Sequence, residues 1–190
     1  MLGYPHLEER TAPADRHLTG CRAFFQGGDL LYFAYALDLD RDDLVRFCTA
    51  KNFPLPPLMN ETPAFLPAHR LVFNGFSPTR RAGLAGIEET GKEEDRVWGA
   101  LYEMPAPFLK VLDLREGPSG AYERRDVKVT PRDGKTPLAA VTYAVAKNRV
   151  IDRPVAPAPG YLALIVRNAK RLSFPPEYIR YLESVPTHRL

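Results

Sequence analysis

Glu116 is the residue best placed to do chemistry in this chain. It closes the run Leu112-Asp113-Leu114-Arg115-Glu116 and is followed by Gly117-Pro118-Ser119-Gly120. The segment Met104 to Gly117 predicts a short helix. Prolines (Pro105, Pro107) lie near its first turn, Phe108, Leu109 and Leu112 form an apolar stripe, and Gly117 is a stop. Glu116 then falls in the last turn, where the helix macrodipole disfavours a carboxylate by about 0.3–1 kcal/mol. The dipole and Asp113, one turn back, both favour the protonated acid, while Arg115 opposes them if its side chain folds over. A carboxyl that keeps its proton near neutral pH, beside a Gly-rich turn, suits general acid–base catalysis. A solvated surface glutamate fits the same segment.

Other chemistries find little support. His6, His17, His69 and His188 are dispersed, without partners at metal-ligand spacing, so no metal site is expected. Ser119 and Ser173 lack a paired histidine, which argues against a serine nucleophile. Gly27-Gly28 precedes a strand-like run rather than joining strand to helix, so it is no dinucleotide fingerprint. Tyr35, Tyr122, Tyr143 and Tyr161 are candidates to line a cavity, with core packing the ordinary role for an aromatic on a strand.

The elements that must position Glu116 follow from hydrophobic patterning. Leu30 to Tyr35 is short, apolar and aromatic, a buried strand. Asp40 to Cys48 predicts a helix, with acids at its start and Leu44, Phe47 and Cys48 on one face. A Pro-rich loop follows (Pro54, Pro56, Pro57, Pro63). Strands are expected at Arg70–Asn74, Leu84–Ile87 and Arg96–Tyr102. Tyr122 to Thr130 and Ala139 to Val145 form a hairpin around Arg132-Asp133-Gly134. After a second Pro-rich loop (Pro154, Pro157, Pro159), helices at Gly160–Lys170 and Pro175–Ser184 close the chain. The pattern predicts an α+β fold: a small, mostly antiparallel barrel of six strands with inserted helices. Residues 1–28 are expected to be an arm, partly disordered or peripheral, before a domain spanning 29–190.

Composition bounds the function. The chain has 190 residues, 45% hydrophobic and 26% charged, which is ordinary for a globular domain with a real core. A formal charge of +3, with no basic cluster longer than Arg80-Arg81 or Arg124-Arg125, gives no reason to expect a nucleic-acid partner. Cys21 and Cys48 make no disulfide framework and fit a reducing compartment. No apolar run suggests a signal peptide or a membrane span, so the cytoplasm is the expected location.

Several segments, taken in order, resemble the γ-glutamylcyclotransferase-like superfamily. Tyr32-Phe33-Ala34-Tyr35-Ala36-Leu37-Asp38-Leu39 is similar to its Tyr-Phe-Ala-Tyr-Gly-Ser-Asn-Leu signature. Leu66 to Asn74 resembles the strand that follows, Ala82 to Ile87 its Gly-Gly-x-Ala-x-Ile segment, and Val97-Trp98-Gly99 its Val-x-Gly strand. Leu112-Asp113-Leu114-Arg115-Glu116-Gly117, with Tyr122 beyond, resembles the element carrying the family's catalytic glutamate. Pro157 to Ile165 and Phe174 to Tyr178 are similar to the C-terminal helices. The likeness covers residues 30–185.

The resemblance implies intramolecular aminolysis: the α-amine of a γ-glutamyl group attacks its own γ-carbonyl, giving 5-oxoproline and a released amine. It implies Glu116 as the general acid–base, a substrate site at Tyr35, Ala36, Leu37, Asp38 and Tyr122, and no metal or organic cofactor. The implied partner is a small molecule or peptide bearing a γ-glutamyl-type amide, with no nucleic acid, no membrane and an oligomeric state left open. The chain departs where the family has Gly-Ser-Asn. Ala36 restricts the backbone, Leu37 adds apolar bulk in place of a hydroxyl, and Asp38, if inward, repels a substrate carboxylate and raises the Glu116 pKa. The departure suggests a substrate less anionic or more apolar than glutathione. Two alternatives stand beside this enzyme reading: a binding or scaffolding protein that kept the barrel, and acyl transfer to a different amine.

Overall fold

The structure, a computed structural model, describes residues 28–117, 120–134 and 136–188. The expected arm, apart from Gly28, lies outside the described residues, as do Cys21, Pro118 and Ser119. Seven strands and four α-helices are described: β1 (Asp29–Ala34), α1 (Arg41–Ala50), β2 (Met59–Pro67), β3 (His69–Ser77), β4 (Ala82–Glu89), β5 (Arg96–Pro105), α2 (Leu109–Glu116), β6 (Tyr122–Pro131), β7 (Leu138–Val145), α3 (Pro159–Arg171) and α4 (Pro176–Ser184). Five strands close a barrel in the order β1-β5-β2-β6-β7. Every neighbour is antiparallel except the closing pair, where β1 meets β7 in parallel at Tyr32 and Val141. Thr142 Oγ1, fully buried, donates to Phe33 O at 2.7 Å across that seam. The fold is the expected mixed barrel with helices outside, and no helix is long and apolar enough to cross a membrane among the described residues.

The strand count is corrected in two ways. Met59–Pro67, expected as part of a Pro-rich loop, is a barrel strand. Ala64 and Leu66 alternate inward, and Pro63 keeps its place opposite Ala100 because its carbonyl still accepts from Arg132 N at 2.9 Å. β3 and β4, expected in the barrel, pair with each other and with no barrel strand among the described residues. That hairpin lies against β7 through glycines: a Cβ on Gly75 would come within 2.9 Å of Val145 Cγ2 and one on Gly86 within 3.0 Å. The segment after β7 straps it down, with Ile151 N donating to Asn74 O at 2.7 Å and Val155 N to Phe73 O at 2.8 Å.

Met104 and Pro105, expected as helix, end β5; a 3₁₀ turn (Ala106–Phe108) then leads into α2. Phe108 and Leu112 are fully buried and seat α2 on the barrel, and Tyr143 OH donates to Asp113 at 2.6 Å to fix its rotation. β1 is buried on both faces from Tyr32 onward, because the lumen takes one face and the surrounding elements the other. Gly99 makes the β1–β5 contact possible: a Cβ there would meet the Ala34 carbonyl and come within 2.6 Å of the Phe33 ring. Gly99→Ala should therefore cost about 1–3 kcal/mol of stability by overpacking, read by denaturant unfolding. An unchanged midpoint would show that the seam has slack.

Candidate active site

The turn after β1 builds one wall of the site. Ala36 precedes a 3₁₀ turn (Leu37–Leu39), with Leu39 N donating to Ala36 O at 3.2 Å. Ala36 sits at φ −131°, outside the positive-φ region that favours glycine. Asp40 ends the turn and caps α1 by accepting from Asp42 N at 3.2 Å. Leu39 O accepts from Arg171 Nη2 of α3 at 3.2 Å, tying the turn down from behind.

Opposite that turn, the last turn of α2 carries Glu116 into a two-part hollow. An inner chamber of about 60 Å³ is bounded by Tyr35, Ala36, Leu37, Asp38 and Tyr122, and by Tyr32, Tyr143 and Tyr161. An outer cleft of about 800 Å³ opens beyond it between α1, the β3–β4 turn and the segment after β7. Glu116, with Leu37, Arg80, Leu84 and Tyr122, borders both. The six residues singled out from sequence are thus brought together around one space. Leu37 lines both chambers, whereas Asp38 lines the inner one.

The inner walls are neutral phenols. Burial first, then nearby carboxylates, holds Tyr32 well above the ordinary tyrosine range; burial also dominates for Tyr35 and Tyr122. Their hydroxyls are spent on the protein. Tyr35 donates to Tyr143 O at 2.9 Å, Tyr122 to Ala85 O at 2.9 Å, and Tyr32 to Asp38. Tyr161 accepts from Ala85 N at 3.4 Å, and burial pushes it up to about 12.

The Glu116 side chain is 15% exposed and lies 3.5 Å from Arg115 Nε. Burial pushes its acid up to about 8; Asp38 adds to the rise, Arg115 opposes it, Asp43 adds and Arg80 opposes. Asp113, expected to favour the protonated form, instead gives its carboxylate to Tyr143 OH and to Arg124 at 3.4 Å. Desolvation does the work that the sequence reading assigned to the dipole and Asp113.

Tyr143 of β7 and Tyr161 of α3, candidates from sequence to line a cavity, wall the chamber. Other parts of the site carry no such mark: Tyr32 of β1 completes that wall. Arg80 arrives from the β3–β4 turn, 5.5 Å above the Tyr161 ring. Arg46 and Arg149 border the outer cleft. No local motif marks them, because their neighbours come from distant segments.

The raised acid has a stability consequence. Between about 4.5 and about 8 the folded chain holds a proton that the unfolded chain releases, so stability falls as pH rises through that window. Glu116→Gln removes this slope. Its melting temperature should gain on the parent between about pH 5 and about pH 8, by roughly 2–4 °C per kcal/mol of relief. An offset that is the same at both pH values would mean the carboxyl is not desolvated.

Comparison with known proteins bears on this geometry. Residues 96–182 match the model of the AIG2-like family. A gamma-glutamylcyclotransferase from Bos taurus is 30% identical over 164 residues, covering 84% of this chain and 80% of that protein. A solved gamma-glutamyl cyclotransferase superposes with a TM-score of 0.68 at 27% identity, covering 86% of this chain and 91% of that one. An uncharacterized protein from Homo sapiens superposes with a TM-score of 0.67 at 28% identity, over 85% and 90% of the two chains.

Proposed function

Because this chain belongs to the γ-glutamylcyclotransferase-like superfamily, we propose that it cleaves a γ-glutamyl-type amide by intramolecular aminolysis, with Glu116 as the proton carrier. The observation that carries the reading is a carboxyl pushed up to about 8 at the junction of a small inner chamber and a large outer cleft. At about 60 Å³ the chamber takes only part of a γ-glutamyl head, so in this reading the rest of the head and the departing amine lie in the adjoining cleft.

In this reading the Glu116 carboxylate first takes a proton from the substrate's α-ammonium. The freed nitrogen attacks the γ-carbonyl carbon, a C–N bond forms, and a five-membered ring closes through a tetrahedral intermediate. Residues 35–38 line the chamber, and we assign their backbone N–H groups to the developing oxyanion. Glu116 then protonates the leaving nitrogen and the old C–N bond breaks, giving 5-oxoproline and an amine. The attacking nitrogen gives up two protons in all and the leaving nitrogen gains two, so Glu116 shuttles protons without net consumption. Both reacting ends belong to one molecule, so holding them in contact supplies much of the acceleration. Phe47, Phe76, Leu84, Val150 and Ile151 line the cleft alongside Arg46, Arg80 and Arg149. That lining favours a leaving portion with an apolar body and room for an anionic group. The tyrosine walls and the raised acid argue for this reading over a scaffold, since a binding role needs no desolvated carboxyl.

A panel of γ-glutamyl amines, γ-glutamyl peptides and lysine isopeptides, with products identified by mass spectrometry, tests the proposal. Turnover to 5-oxoproline is expected for some member, and Glu116→Gln should lower it by roughly 10²–10⁴-fold. Full activity in that variant removes Glu116 from the mechanism; silence across the panel with tight binding of a partner favours the scaffold; a product joined to a second amine shows acyl transfer. Because the reaction starts from the Glu116 carboxylate and the substrate's α-ammonium, kcat/KM should rise with pH toward about 8 and fall once the ammonium loses its proton. A flat profile from about pH 5 would contradict that role.

A further inference from the structure

Arg115 is the most deeply buried member of a charged cluster, and its guanidinium reaches three elements at once. Nη1 donates to Asp38 in the 3₁₀ turn, Nη2 to Asp43 of α1 at 2.7 Å, and Nε lies 3.5 Å from Glu116. The Arg115 side chain is 6% exposed, Asp38 13% and Asp43 30%. The second oxygen of Asp38 accepts from the Tyr32 hydroxyl, and Asp43 also meets Arg46 at 3.3 Å. A carboxylate this buried is tolerated only with a cation beside it, so Asp38 and Arg115 are matched.

We propose that Arg115 is a positioning residue: clasped between Asp38 and Asp43, it fastens the loop that forms the inner chamber to the turn that carries Glu116, and so sets that carboxyl's direction and charge environment. Without the clasp, the 3₁₀ turn and the end of α2 share no other charged tie among the described residues, and the chamber between them loses its fixed width. The altered Ala36-Leu37-Asp38 loop is then a working variant and not a decayed one. Asp38 pushes Glu116 toward protonation while Arg115, turned mainly toward the two aspartates, only partly opposes it. The other groups facing Glu116 are Asp43 from α1, Arg80 from the β3–β4 turn, and the phenols Tyr32, Tyr35, Tyr122, Tyr143 and Tyr161. The phenols are neutral at neutral pH, which leaves the clasp and Arg80 to set the balance.

The test compares Asp38→Asn, Arg115→Gln and the double variant. The Glu116 carboxyl is titrated by carbon-13 NMR, alongside melting temperature and steady-state kinetics. Asp38→Asn should move the Glu116 midpoint to lower pH with its hydrogen bonds kept, and Arg115→Gln should move it to higher pH. The double variant should regain thermal stability lost in Arg115→Gln and titrate between the two. If Arg115→Gln does not fold, Arg115→Lys keeps the charge without the fork and should raise KM more than it moves the titration. Shifts of the same sign in the two single variants, or no shift in folded Asp38→Asn, would overturn the clasp, since a merely structural pair leaves the titration alone. The kinetic arm rests on the proposed reaction and the titration does not: no turnover by the parent protein sinks the reaction, whereas the NMR midpoints decide the clasp.

Discussion

A carboxyl group withdrawn from water keeps its proton unless a cation compensates, and Glu116 has only a share of one buried cation. Asp38 and Asp43 take the two strongest donors of Arg115, leaving the longer 3.5 Å approach for Glu116. The arrangement needs four things in register: a helix that ends at residue 116, a turn that presents residue 38, a helix that presents residue 43, and a seal that keeps water out. Phe108 and Leu112 supply the first, the seam of β1 with β5 and β7 the second, and the Asp40 cap the third. The tyrosines from β1, β6, β7 and α3 supply the seal. Most of the fold's special contacts can be read as serving one of these requirements.

The legible parts were those whose cause is local. An apolar aromatic run gave β1, acids before an apolar face gave α1, and a Gly-containing turn between alternating segments gave the β6–β7 hairpin. The place of Glu116 in a last turn was legible because Gly117 follows a periodic stripe. β2 was hidden by Pro63, which reads as a breaker although a proline can occupy a strand where its missing N–H is not called on. The separation of β3 and β4 from the barrel was hidden for another reason: patterning predicts strands but not partners, and the hairpin's seat on Val145 depends on glycines that leave no pattern.

The site shows the same division. The motif located Glu116 and the loop from Tyr35 to Asp38, but the cause assigned to the raised acid was partly wrong. Asp113 is near in sequence and is occupied by Tyr143 and Arg124, whereas Asp38, far along the chain, is the carboxylate that acts. Arg115 opposes protonation as the sequence leads one to expect, but contacts with two aspartates divide its charge. Ala36, Leu37 and Asp38 stand in the sequence as departures from the family signature. In the structure Ala36 keeps a negative φ, Leu37 lines both chambers, and Asp38 has two hydrogen-bonding partners.

The central claim is that this one acid is protonated in the resting protein at neutral pH. Infrared difference spectroscopy between the parent and Glu116→Gln reads it directly through the carbonyl stretch of a neutral carboxyl. The account predicts a band at about pH 7 that is missing from the glutamine variant and fades as the pH passes about 8. A parent spectrum showing only carboxylate bands at that pH would contradict it.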